Sequence, residues 1–277
     1  MTPEEYAYQQ ALISAVAVTV IEKWLKFFTN PALTIAEWLR LLELIFPEVV
    51  TRREQAAELG RQFFDSQRAQ HHPQSPRHDV PLEAYRFDWF VEAMEPSRRR
   101  MSQEQAADNA VGDVLRRIVK EIENGGRRQV IRSVESDRAK IVKGWARVAT
   151  GRETCAWCLM LISRGPVYMA AETAGLDLDD PSAARMVAAG EDVSEYMTQW
   201  HAGCDCKVVP VYSRANWPGK KAADAALELW NDASSEATAL IESGEARTDN
   251  RNREAINALR RRLARGEITM SDFAFAA

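Results

Sequence analysis

All four cysteines of the chain fall in two tight pairs, Cys155-Ala-Trp-Cys158 and Cys204-Asp-Cys206, the second preceded by His201-Ala-Gly. A C-x-x-C turn lets two thiolates reach one ion. In C-x-C the two side chains fall on the same face of an extended strand. Zinc takes four soft or borderline ligands in a tetrahedron, and five candidates stand here: Cys155, Cys158, His201, Cys204 and Cys206. Cys155 and Cys158 supply two ligands and the other two come from His201, Cys204 and Cys206, with the choice among these three open. The candidate left over can orient a ligand by hydrogen bonding.

Other chemistries compete for the same residues. A thioredoxin-like redox pair calls for a βαβ pattern around the C-x-x-C, and none is visible. Disulfides formed after departure from a reducing cell are a second alternative. A catalytic zinc keeps an open position beside a general base, whereas a thiolate-rich set is closed. No second histidine near His201 supports a zinc nuclease. Gly219-Lys220-Lys221 lacks the upstream glycine and the Ser/Thr of a phosphate-binding loop, and no Gly-x-Ser-x-Gly occurs. The expectation is a structural zinc and no enzyme. A metal-dependent nuclease or toxin-like enzyme and a zinc-containing DNA-binding protein are the rival classes.

The elements that must position this chemistry are mostly helices. An apolar stripe through Ile13, Val16, Ala17, Val20, Ile21, Trp24 and Phe28 has helical spacing and ends at Asn30-Pro31. Thr34 with Glu37 forms a capping-box pattern that opens a short helix through Trp38, Leu42 and Ile45, expected to stop at Pro47. Another helix starts near Glu48. The segment His71 to Pro81, with three histidines and three prolines, is the clearest break. His71, His72 and His78 are read as loop residues, not as a metal site. Helices are then expected from about Pro81 to Met94, ended by Pro96, from a Ser102/Gln105 capping box to Asn124-Gly125-Gly126, and from Arg127 to about Trp145. Periodicity weakens from Thr150 to Trp217, and two helices, Lys221 to Ser243 and Thr248 to Arg265, precede a tail.

The predicted fold class is mainly α: a helical N-terminal region, then a small α+β zinc-knot module, then C-terminal helices. The expected boundaries are an N-terminal helical region at 1–70, a loop at 71–81, helices at 82–148, the zinc knot at 149–217, and C-terminal helices with a tail at 218–277. Composition agrees with a globular protein, since 46% of the 277 residues are hydrophobic and 27% charged, which excludes disordered and fibrous classes. A net charge of −4 implies no partner by itself. The acidic start (Glu4, Glu5) and a longest uncharged run, Tyr6 to Ile21, broken by polar residues predict neither an export signal nor a membrane span.

Two charge islands stand out. Glu172 to Glu195 carries seven acids against Arg185 and is read as a surface excursion between the halves of the knot. Arg247 to Arg265 holds seven arginines and two acids, a helix able to neutralise phosphates or to grip carboxylates on a partner. Arg260, Arg261 and Arg262 are its candidate contacts with nucleic acid or a protein partner.

The run from Gly144 to Tyr168 around Cys155-Ala-Trp-Cys158, and the run Trp200-His-Ala-Gly-Cys-Asp-Cys-Lys-Val-Val-Pro-Val-Tyr212, resemble the phage Mu F-like minor capsid (head morphogenesis) proteins of actinobacteriophages. The hallmark of that family is C-x-x-C followed later by H-x-x-C-x-C. The resemblance is specific between about residues 140 and 218 and general elsewhere. It implies a virion protein of the head interior or portal region, present in the host cytoplasm during assembly. Its implied partners are the portal protein, the major capsid protein, or both, and packaged DNA, with no membrane and no small-molecule substrate. Two departures matter. The protease or toxin domain fused to some relatives has no signature here, and Asp205 stands where the family often carries arginine between the last two cysteines.

Overall fold

The structure is a computed structural model that describes residues 1–26, 32–101, 110–139, 141–152, 154–166, 189 and 200–275. The chain divides into two compact units, 1–133 with 201–203, and 134–200 with 204–277. The predominance of helix agrees with the sequence expectation. Among the described residues no helix is long and apolar enough to cross a membrane.

The first unit holds four helices: α1 (Pro3–Leu25), α2 (Ile35–His71), α3 (Phe87–Met101) and most of α4 (Ala110–Glu135). α1 starts well before the apolar stripe that betrays it. Thr2 and Glu5 form a capping box, the Glu5 amide donating to Thr2 Oγ1 at 3.2 Å and the Thr2 amide to Glu5 Oε2 at 2.7 Å. The Thr34/Glu37 box expected from the sequence opens α2, and the bonds from Thr34 hold the Glu37 carboxyl below its ordinary pKa.

Several expected boundaries are corrected. Pro47 does not stop α2, and Pro96 lies inside α3. An internal proline costs a helix about 3 kcal/mol. Around Pro47 that cost is opposed by the burial of Ile45 and Val49, which share a core with Trp38, Leu41, Leu42, Phe90, Met94, Val114 and Ile118. Such side chains each contribute about 1.5–3 kcal/mol when fully buried. The helix expected from Pro81 begins at Phe87. The Ser102/Gln105 box lies outside the described residues.

Asn124-Gly125-Gly126 does not separate two helices, because α4 runs straight through it. The glycines mark close helix packing instead. A Cβ on Gly126 would stand 2.7 Å from Tyr6 Oη and 2.9 Å from the Ala56 carbonyl oxygen, while one on Gly60 would stand 2.7 Å from the Gly126 carbonyl oxygen. Here α2 and α4 approach backbone to backbone, and α1 reaches the same point with the Tyr6 side chain. Tyr6 stacks flat on Phe63 at 4.6 Å, and the buried pair Arg127–Glu123 closes at 2.6 Å beside them.

In the second unit, the helix expected to reach Trp145 stops earlier, and Gly144 and Trp145 open a strand instead. α4 ends at Glu135, and β1 (Gly144–Val148) pairs antiparallel with β2 (Lys207–Val211), from Gly144 opposite Val211 to Val148 opposite Lys207. Both strands are buried along their whole length, so hydrophobic alternation is missing and the sequence hides them. α5 (Ala156–Ser163) packs on β1 and on the C-terminal pair α6 (Lys220–Ser243) and α7 (Arg251–Ala264), followed by a short 3-10 turn at Met270–Phe273. Gly219 caps α6 at φ +92°, where a Cβ would meet Val148 Cγ1 at 2.7 Å.

Two alanine substitutions in α4 separate the packing role of its glycines from helix propensity. Gly112, whose nearest neighbour to an added Cβ is Arg116 at 3.6 Å, should gain up to about 1 kcal/mol on Gly112→Ala. Gly126→Ala should instead lose about 1–3 kcal/mol through overpacking. Urea unfolding of both variants checks the opposite signs, and stabilisation by Gly126→Ala would contradict the close approach.

Candidate metal centre

The register of the two strands places the thiols. Val148 lies opposite Lys207, so the chain leaving β1 towards Cys155 and the chain entering β2 from Cys206 meet at one end of the ribbon. Cys155 is the extended N-cap residue of α5, and Cys158 sits in the first turn of that helix. A helix N-terminus favours negative charge, and thiolates are the form that binds metal. Gly203, at φ +83°, makes the left-handed turn just before Cys204.

Cys158 is the centre of the group. Its sulfur stands 3.7 Å from Cys155 Sγ and 3.4 Å from Cys204 Sγ, and it also bonds Cys206. Cys158, Cys204 and Cys206 are buried, and Cys155 is half-buried. Cys158, Cys204 and Cys206 present ligand atoms close enough together to hold an ion, and the Cys155 sulfur stands beside Cys158. All four cysteines belong to the second unit, whereas residues 201–203 group with the first. The four cysteine candidates are therefore gathered within one unit, and His201 is grouped with the other. None of His71, His72 and His78 belongs to such a group among the described residues, and His78 lies edge-on to Phe64 at 6.1 Å.

Crowding has an electrostatic consequence. Hydrogen bonds from Cys155, Cys204 and Cys206, then burial, push the Cys158 thiol well above its ordinary pKa. For Cys206 the bond with Cys158 pulls the pKa down, but the bond with Cys204, burial, and the charges of Cys204 and Asp205 outweigh it. Buried thiolates at these distances repel, and a divalent cation between them reverses the sign. Zinc–sulfur bonds of about 2.3 Å in a tetrahedron set sulfur–sulfur edges of about 3.8 Å, close to the spacings observed. The donor set fits zinc.

Residues beyond the cysteines brace this arrangement. Asp205, which the sequence marked only as a departure from the family's arginine, accepts from Thr150 Oγ1 at 2.7 Å and from the Arg152 amide at 3.0 Å. It ties the loop before Cys155 to the segment between Cys204 and Cys206. The tail adds a second tie, with the Phe275 amide donating to the Ala149 carbonyl at 3.0 Å and Ala274 bridging Ala149. The guanidinium of Arg147, on β1, lies 3.7 Å over the ring of Trp200. Sequence reasoning missed these ties because Thr150, Asp205 and Phe275 carry no motif and meet only through the fold.

The other candidates fall elsewhere. Arg261 and Arg262 clasp Glu236 of α6 at 2.7 and 2.9 Å, and Arg260 donates to Asn257 at 3.0 Å while remaining exposed. The clasp from Arg261, then Arg262, holds the Glu236 carboxyl below its ordinary pKa. The acidic stretch Glu172 to Glu195 lies outside the described residues apart from Ala189.

Raised thiol pKa values predict that adding Zn(II) to the reduced, metal-free protein at neutral pH releases protons, because each thiol ligand must ionise to bind. A weakly buffered titration with an indicator dye should show acidification that saturates with one metal per chain. Zinc uptake without proton release would contradict thiol ligation.

The chain is 51% identical to the Gene 15 protein of Mycobacterium phage L5, across the full length of both. It is 52% identical to the Gene 15 protein of Mycobacterium phage D29, over 96% of this chain and all of that one. No solved structure matches. The VG15 protein family matches residues 2–233, which span the four helices of the first unit, both strands and all four cysteines, and the chain belongs to that phage protein family.

Proposed function

We propose that this protein is a non-enzymatic structural component of the phage head, of the minor capsid or head-morphogenesis kind. It docks at the portal or on the inner face of the capsid shell, and its second unit is locked by a zinc ion held by Cys155, Cys158, Cys204 and Cys206. The observation that carries the zinc assignment is the Cys158 sulfur in contact with three other thiols in a buried setting. A four-thiolate set leaves no open position for substrate or water, which supports a structural and not a hydrolytic metal. The placement in the head rests on the Mu F-like motifs around the two cysteine pairs and on mycobacteriophage relatives matched along their whole length.

The docking surface includes the outer face of α7. Arg261 and Arg262 are committed in part to Glu236, which leaves Arg260, with Arg251 and Arg253, as the exposed cations. They suit packaged DNA or an acidic rim on the portal or shell, through contacts that read charge and not sequence.

Purified particles test the proposal. Quantitative mass spectrometry of virions should find the chain at low copy number relative to the major shell protein. Arg260→Glu, which spares the Glu236 clasp, should reduce its retention several-fold, and more so as salt rises. Absence of the wild-type chain from purified virions would rule out a head component, and wild-type retention of Arg260→Glu at every salt concentration would rule out this surface.

A further inference from the structure

α1 buries one face on its own unit through Tyr6, Ala7, Gln10, Ser14, Ala17, Ile21 and Leu25. Its other face is also apolar. Tyr8, Leu12, Val16 and Trp24 are 66%, 49%, 45% and 40% exposed, with half-buried Val20 between the last two. Spaced by four residues, they form one ridge about 24 Å long at 1.5 Å per residue. A helix with apolar residues on both faces is buried on both sides in most proteins. Leu12 also opens onto a cavity of about 620 Å³ walled by Ile13, Leu59 and Leu82, with Glu54 and Glu58 at its rim. The ridge therefore continues into a concave apolar surface within the same unit.

The charges on α1 specify what covers it. No charge occurs from Tyr6 to Ile21. Exposed Glu4 and Glu5 stand at the N-terminal end, and exposed Lys23 and Lys26 at the other, with Glu22 as an opposite charge beside the lysines. A parallel copy would oppose acid to acid and lysine to lysine. An antiparallel copy matches the centre of the apolar ridge and the lysine end: about a two-fold axis, Leu12 meets Val16, Tyr8 meets Val20, and Glu5 meets Lys23. Two-fold contacts are self-complementary in this way, residue i on j and j on i.

We infer that the exposed face of α1 is a homodimerisation surface, on which a second copy of this chain packs its own α1 antiparallel. A single helix pair with the adjoining groove is small for a permanent interface, which places the self-association in the micromolar range. The surface lies in the first unit and does not depend on the thiol cluster.

Sedimentation velocity of the full chain, purified under reducing conditions, tests this over a range of concentrations. The expected result is a reversible monomer–dimer equilibrium. Leu12→Glu and Val16→Glu, both at exposed positions, should each weaken it about tenfold or more with the far-UV circular dichroism unchanged. Lys23→Glu should weaken it too, and Glu5→Lys added to Lys23→Glu should restore it, because the antiparallel register sets positions 5 and 23 opposite each other. A chain that stays monomeric to high micromolar concentration, or a dimer indifferent to Leu12→Glu and Val16→Glu, would overturn the inference. Failure of the double charge swap to restore a dimer weakened by Lys23→Glu would overturn the antiparallel arrangement.

Discussion

Three thiols press on the sulfur of Cys158 in a buried pocket, and the second unit is organised around that crowding. The two-stranded ribbon is short, and a lone pair of strands is marginal in water. What holds it is the helix α5, whose first turn carries Cys158, together with the loop tied by Asp205 and the tail bridged to Ala149. Each of these ties brings the ends of β1 and β2 to the same few ångströms. A cation held at that point would convert mutual repulsion among thiolates into attraction and would make metal binding and local folding one free energy.

The core of the first unit is a wide apolar cluster, and the approach of α2 and α4 is set by Gly60, Gly125 and Gly126, where side chains would collide with backbone. Three polar residues at that crossing, Arg127, Glu123 and Ser14, are buried and bonded to one another. Such a network adds little net stability, but leaving any one charge unpaired there would be costly.

Legibility in the sequence followed the range of the interactions. The cysteine pairs and His201 were visible because metal ligands recur at short spacings, and the Thr34/Glu37 cap was visible because capping is local. Pro47 and Gly125-Gly126 were misread as breaks. Their local preferences point that way, and only the packing of Ile45, Val49 and the helix crossing overrides them. The strands were hidden by full burial on both faces, which erases the period of two. That the four thiols fall within one unit is a property of the fold that spacing alone does not reveal. The pairing of Arg261 and Arg262 with Glu236 is likewise a contact between separate helices that no spacing reveals.

X-ray absorption at the zinc K-edge, on protein purified under reducing conditions without added metal, tests the central claim most directly. The account predicts near-stoichiometric zinc whose neighbours are four sulfurs at about 2.3 Å. A first coordination sphere dominated by nitrogen or oxygen, or a folded chain free of zinc with its cysteines in disulfides, would contradict it.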